Sequence, residues 1–467
     1  MAPLMLRAAT QGRTSGGDSP PASNPHATNL KTAKSIAHRN GNPKFSLFQK
    51  LVRQWDEIHP YNAIHVLKVR GQYDLSSSRT AWHDALEVLG MGRVNIAGDS
   101  FFHECLNGDS IQHTVEPCPP GVTLHAWISR ELNRPFCPID AVPFRPFVIQ
   151  EPDFFWMGLV YQHWVADSAS IREVMREWFV RQYDPRAGRT KPRPWMGGYL
   201  ALFGPQRSGL EMADGLLAAL RSTSQFRRVR RIEDPEMFQD LSAAFMPIPS
   251  HPGLIDALRQ SARRHGVTVN DFFLAGIAEA ANELVPVPRR YRRQDLAVAT
   301  IVNLRPKVHR PMCDAFGLLL GFTSVCCKPK QLEHWDSLLH SVSAQMRRQK
   351  LAGSAQSSWL RLMVGWWAGK MLPPEKVLEF YRKRVSIAGA NSNVNLNHAW
   401  AARYNPDPIL EYHRAPPTGP MTPLVLSTTT LGKTMSIGLT YRPAILPTDK
   451  AAEFGRMFAE RMNVLAT

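Results

Sequence analysis

The chain has 467 residues, 44% of them apolar and 20% charged, which excludes a wholly disordered or fibrous protein and leads to an expectation of two lobes. Lys and Arg number 56 against 39 Asp and Glu, a formal charge of +17 that suits anionic partners: coenzyme A, an acidic carrier protein, an anionic membrane face or nucleic acid. No run of about 18 apolar residues is present, so no transmembrane helix is expected. The apolar stretch in the opening MAPLMLRAATQGR is too short and too interrupted for a signal peptide. The six cysteines, at 105, 118, 137, 313, 326 and 327, form no CxxC pair, so neither a metal cluster nor a disulfide framework is expected and a reducing, cytoplasmic setting is the default.

Residues 1–44 hold six basic residues and a single acid, Asp18, and read as a disordered tail, with a transit peptide as the alternative. Folded character begins at Phe45. SLFQKLVRQWDEI reads as a helix with Leu47, Leu51, Trp55 and Ile58 on one face, AIHVLKVRG as a strand, and Asp74 to Leu89 as a second helix. PFRPFVIQ and DFFWMGLVYQH, separated by Glu151-Pro152-Asp153, read as a hairpin. ADSASIREVMREWFVRQY follows as a helix, with Ser170 and Glu173 as its expected capping-box pair. A first α/β lobe therefore spans 45–183. Residues 184–250, rich in Pro, Gly and Arg, read as a crossover with a helical stretch near 210–220. The second lobe, 251–467, opens with LIDALRQSARRHG and VNDFFLAGIAEAANEL as helices. Strands are expected at LAVATIVNLRP, FGLLLGFTSVCC and IAGANSNVNLN, with helices at 333–349 and 449–464. PLVLSTTTLGKTMSIGLTYRP forms a hairpin around Gly432-Lys433.

The chemistry concentrates at Tyr161-Gln162-His163-Trp164-Val165-Ala166-Asp167-Ser168. This is the one HxxxD in the chain, and it sits where a strand ends before a helix, the position that ligand sites in open α/β sheets favour. A neutral imidazole is suited to remove a proton at neutral pH. For Asp167, plain capping of the following helix competes with a role in an ion pair.

These residues resemble the chloramphenicol acetyltransferase-like superfamily, which includes peptide-synthetase condensation domains, BAHD acyltransferases and wax ester synthase/diacylglycerol acyltransferases. The family motif HHxxxDG reads here as QHWVADS, with Gln162 for the first histidine and Ser168 for the glycine. The Pro135-Phe136, Asp140 and Pro143-Phe144-Arg145 phrase, the NLRP at 303–306, the FG and G at 316–321 and the SNV at 392–394 follow in family order, over about residues 45–467. The resemblance implies a two-lobed α/β fold, a mixed sheet with helices in each lobe, and a tunnel between the lobes. It implies acyl transfer from acyl-coenzyme A or an acyl carrier protein to an alcohol or amine, with His163 as general base. Asp167 would pair with Arg305, or, as second choice, Arg145. The oxyanion would be held by backbone N–H groups near Ser168, or by side chains such as Ser427 and Thr428.

No bound cofactor or metal is expected; the thioester is a cosubstrate. A stand-alone condensation-type enzyme joining carrier-bound intermediates stays open, as does a degenerate acyl-binding member, which the departures at 162 and 168 would explain. SSWLRLMVGWWAGKMLPP at 357–374 reads equally as a lobe-packing helix or as one that meets a membrane interface or lines an acyl tunnel. The clusters RRVRR at 227–231 and RRYRR at 289–293 are candidates for coenzyme A phosphates or an acidic carrier, although most such runs are solvated faces. Asn391, Ser392 and Asn393 are candidate site-lining residues. His103-Glu104-Cys105 lacks the spacing of a zinc site, and nothing supports nucleic-acid binding.

Overall fold

The structure, a computed structural model, describes residues 44–105, 115–136, 142–184, 224–231, 235–285, 292–307, 315–384, 386–397 and 409–467. The expected tail before Lys44, the helical stretch at 210–220 and residues 289–291 of the second basic cluster lie outside them.

Helix α1 (Leu47–Ile58) starts at a capping box, in which the Ser46 hydroxyl accepts from the Gln49 N–H and the Gln49 side chain accepts from the Ser46 N–H. Phe48, Leu51, Val52 and Trp55 recur at helical spacing and are all buried. Strand β1 (Asn62–Arg70) follows, then α2 (Leu75–Leu89), capped by Asp74, and the hairpin β2 (Gly92–Ala97) and β3 (Ser100–Cys105). Next come β4 (Glu116–Pro117), α3 (Leu124–Asn133), β5 (Phe144–Gln150), β6 (Phe154–Gln162) and α4 (Ser168–Tyr183). Trp178 of α4 stacks edge-on against Trp82 of α2, ring centres 5.1 Å apart, and these two indoles fix the helix pair behind the sheet.

After the short α5 (Pro235–Gln239) come β7 (Ala244–Ile248), α6 (Leu254–Arg264), α7 (Val269–Leu284), β8 (Leu296–Asn303) and β9 (Leu320–Cys327). Then follow α8 (Pro329–Leu332), α9 (Trp335–Leu351), α10 (Trp359–Met371) and α11 (Pro374–Arg384). The chain closes with β10 (Gly389–Asn395), β11 (Ile409–Ala415), the hairpin β12 (Leu424–Leu431) and β13 (Thr434–Tyr441), and α12 (Thr448–Ala466).

Two mixed sheets result. One has the order β11-β1-β6-β5-β4, the other β7-β13-β12-β10-β8-β9. Two strands depart from a simple reading of the chain. β7 comes from the stretch read as a crossover and forms an edge of the second sheet, while β11, from late in the chain, pairs antiparallel with β1 of the first. β11 also packs directly on the second sheet: the Ser427 hydroxyl donates to the Arg414 carbonyl at 2.5 Å. Among the described residues no helix is long and apolar enough to cross a membrane.

Two expectations are corrected. The strand anticipated from Phe316 begins at Leu320, because Gly317, at φ 145°, turns the chain away from extended geometry and spends its backbone groups on Ser170. The cap of α4 is Asp167 rather than a Ser170–Glu173 box, since the Asp167 carboxylate accepts from the N–H groups of both Ala169 and Ser170 at 3.0 Å. Of the first basic cluster, Arg230 is buried and bonded to the Gln294 carbonyl and Asn282, and Arg228 lies 3.4 Å from Asp295, so these two serve local packing. Helix α10 approaches α1 closely, with Gly369 against the Gln54 side chain, while Trp367 stays half exposed.

Strand β6 leads directly into the HxxxD motif, and its position depends on Gly158. The Phe147 ring of β5 lies across that residue, so a Cβ there would fall 2.1 Å from a ring carbon. Gly158→Ala is therefore expected to lower stability by about 1–3 kcal/mol through overpacking. Urea unfolding would show this as a reduced midpoint, and Phe147→Leu in the same chain should recover part of the loss.

Candidate active site

Three interactions fix the loop between β6 and α4. The Trp164 ring packs edge-on against Phe45 and Phe101, with centres 5.7 and 6.2 Å away. The Trp164 carbonyl accepts from Gln49 of α1 at 3.2 Å, and the Val165 N–H closes a turn on the Gln162 carbonyl. His163 is thereby held with its ring stacked on Tyr61, centres 5.8 Å apart, and its main-chain N–H on the Tyr61 carbonyl.

The His163 Nδ1 lies 3.1 Å from the Ala166 carbonyl, which can only accept, so Nδ1 carries the proton. In the neutral ring Nε2 then holds a lone pair, and it has no protein partner among the described residues. Burial lowers the pKa of His163 from its ordinary value, so the neutral form dominates at pH 7.

Asp167 is wholly buried and divides its two oxygens between two duties. Oδ1 caps α4, while Oδ2 accepts from Arg305 Nη1 at 2.7 Å and from the Leu319 N–H at 2.8 Å. Capping and ion pairing, alternatives in the sequence, occur together. Arg305 also donates to the Ser170 hydroxyl at 2.8 Å and to the carbonyls of Ala315 and Gly317. Arg145, the second choice, instead pairs with the buried Glu131 at 2.9 Å.

His163 opens on a cavity of about 500 Å³ lined from both sheets and from α1 and α4. Phe48, Val52, Leu320, Phe322, Met421 and Val425 supply apolar walls, and His163, Ser168, Arg172, Ser392, Asn393 and Arg414 a polar side. Among candidates from the sequence, His163, Ser168, Ser392 and Asn393 thus come together. Asn391 does not line the cavity and bonds Asn270. Ser427 and Thr428 are also absent from its walls: the Ser427 hydroxyl is spent on the carbonyls of Arg414 and Gly438, and that of Thr428 is buried without a partner among the described residues. The expectation that these two hold the oxyanion is corrected on that geometry.

Both departures from the family motif have structural assignments. Gln162 donates to Asp56 at 3.1 Å, bracing the end of β6 against α1, and does not line the cavity. The Ser168 hydroxyl lies 2.9 Å from His65 Nε2 and accepts from Arg414 Nη1 at 3.1 Å. His65 Nδ1 is in turn 2.6 Å from the Tyr412 hydroxyl.

Arg414 is 3% exposed, and its remaining donors go to Ser392, Thr429 and the Thr428 carbonyl, all neutral. Burial pulls its pKa down to about 10, still far enough above neutrality to keep the charge. His65, Arg172 and Arg414 were not anticipated. A histidine interrupting the otherwise apolar Ala63, Leu67 and Val69 face of β1 was the available signal; Arg414 gave none, because its partners lie on other strands.

No family model and no curated protein matches the sequence; the likeness is to solved structures. The TRI3 trichothecene 15-O-acetyltransferase from Fusarium sporotrichioides superposes with a TM-score of 0.67 at 11% identity, covering 91% of this chain and 94% of that one. The condensation domain of the monacolin K polyketide synthase MokA gives 0.59 at 10% identity, covering 91% and 98%. The X-domain from teicoplanin biosynthesis gives 0.56 at 14%, covering 91% and 95%. The chain has the two-lobed chloramphenicol acetyltransferase-like fold that the order of its motifs implied.

Removing Asp167 strands the Arg305 charge and uncaps α4, so Asp167→Ala should cost about 3–5 kcal/mol in chemical denaturation. Burial also depresses the pKa of His59, His65, His103 and His163, that of His103 to about 3. Since the unfolded chain then takes up protons first as pH falls, stability is fully present above the unfolded value near 6.5 and declines below it, by up to about 1.4 kcal/mol per unit for each histidine. Urea midpoints at pH 7.5 and 5.5 should show this fall, with a smaller difference in His65→Gln.

Proposed function

We propose that the protein is an acyltransferase that moves an acyl group from a thioester, carried by coenzyme A or a phosphopantetheinyl carrier protein, to a hydroxyl or amine. The observation that carries this reading is the His163 ring, fixed through Nδ1 by the Ala166 carbonyl so that its basic Nε2 is left without a partner among the described residues, in the wall of a cavity of about 500 Å³. The acceptor's oxygen or nitrogen attacks the thioester carbonyl as its proton passes to Nε2. The tetrahedral oxyanion collapses, the C–S bond breaks, and the imidazolium returns the proton to the departing thiolate.

Ser168 supplies the oxyanion donor. Burial pushes the Tyr412 phenol far above its ordinary pKa, so it keeps its proton and donates a hydrogen bond to His65 Nδ1. His65 Nε2–H then donates to Ser168, which also accepts from Arg414. With both acceptor directions filled, the single Ser168 proton serves the neighbouring Tyr161 phenol and, when substrate is present, the cavity, polarised by a buried cation. Asp167 and Arg305 are positioning residues that hold the histidine loop.

The likeness to a condensation domain favours a second reading, in which both partners are carrier-bound. One assay separates the readings: free thiol release from acyl-coenzyme A and from acyl-loaded carrier, with a panel of alcohols and amines. Acceptor-dependent release should fall by about 10²–10⁴ in His163→Ala and by tenfold or more in Ser168→Ala. Unchanged turnover in His163→Ala sinks the proposal; binding without turnover on either donor points to an acyl-binding protein instead.

The lowered pKa of His163 also fixes the pH profile. The base is neutral above its pKa, so the acid limb of kcat/KM, which reports the free enzyme, should lie below the ordinary histidine value near 6.5.

A further inference from the structure

The chain carries many basic residues, but the charges around the cavity are distributed unevenly in a specific way. Among the described residues that line it there is no aspartate or glutamate, while two arginines, Arg172 and Arg414, do line it. The carboxylates next in sequence to Ser168 and Arg172 are committed elsewhere: Asp167 to Arg305, and Glu173 to Arg176 at 3.4 Å. Burying cations beside an apolar chamber without a counter-charge is costly.

The two arginines differ in what they have left to give. Arg414 has its donors filled by Ser168, Ser392, Thr429 and the Thr428 carbonyl, so its charge reaches the cavity through the Ser168 hydroxyl. Arg172 makes no hydrogen bond or ion pair with another described residue, and its Nε is shielded from solvent with no partner. It stands one helical turn beyond Ser168 on α4, on the same face of the helix. A transient oxyanion brings one negative charge. Two uncompensated cations therefore leave room for a second, permanent one.

We propose that one substrate of this site is an apolar molecule bearing an anionic group of the carboxylate type, which Arg172 binds while the hydrocarbon body lies against the Phe48, Val52 and Met421 wall. The role of that molecule as acceptor or acyl group rests on the acyl-transfer reading; its binding does not. Arg172 sets specificity by giving the anion its only free guanidinium among the described cavity residues, and an amine-bearing analogue of the same shape is repelled.

Isothermal titration with octanoate, 1-octanol and octylamine tests this without requiring turnover, so it is independent of the thiol-release assay. Octanoate should bind the full chain about tenfold or more tighter than octanol, as a charge-assisted hydrogen bond allows, and octylamine weakest. Arg172→Met, checked for folding by near-ultraviolet circular dichroism, should bind octanoate and octanol alike, while Arg172→Lys keeps part of the preference. Equal binding of the three probes by the wild-type protein, absence of octanoate binding, or a preference that survives in Arg172→Met overturns the proposal.

Discussion

The Asp167 carboxylate is the point on which the site depends. It is a single buried group with four N–H partners: two from the start of its own helix, one from Leu319 and one from Arg305. The last two belong to a part of the chain some 140 residues away. The loop carrying His163 is thus defined by the second half of the molecule as much as by the first. An aspartate at this place does the work of a helix cap and of an interlobe clamp with the same side chain. Neither duty brings it to the reacting atoms.

The buried Arg414 charge behaves differently. Arg414 has no carboxylate, and the protein holds it with serine and threonine hydroxyls and main-chain carbonyls from β10, β12 and α4. Such acceptors fix the guanidinium without neutralising it, so the positive potential stays in the cavity. This arrangement gives a physical account of Ser168, where the family pattern has glycine: the added hydroxyl joins the arginine and His65 to the chamber.

Much of this was legible in the sequence. The apolar spacing of α1, the alternation in β1, the β5–β6 and β12–β13 hairpins, and the cap-and-helix grammar after His163 are local signals that single out His163 and Asp167, whereas Arg305 comes only with the resemblance carried by the NLRP phrase at 303–306. What was not legible is relational. The capping-box rule pointed to Ser170 because it weighs neighbours three residues apart, whereas the loop at Gly317 claims that hydroxyl. Ser427 and Thr428 looked like site residues because a run of hydroxyls on a strand near the sequence motifs invites that reading. Their orientation is decided by β11, which packs across them and takes the Ser427 hydrogen bond. Arg414 itself lies in a strand whose significance comes from β1, some 350 residues earlier.

That last pairing has a consequence for how the chain comes to its native state. β1 (Asn62–Arg70) is synthesised more than three hundred residues before β11 (Ile409–Ala415), its partner on one side. Until β11 is made, one edge of the first sheet presents unpaired N–H and C=O groups, a template for the wrong strand. The N-terminal half therefore cannot complete its sheet as an independent cotranslational unit. Ser168 and His65 can meet Arg414 only once β11 has been made, so this part of the polar wall is assembled from segments far apart in the order of synthesis.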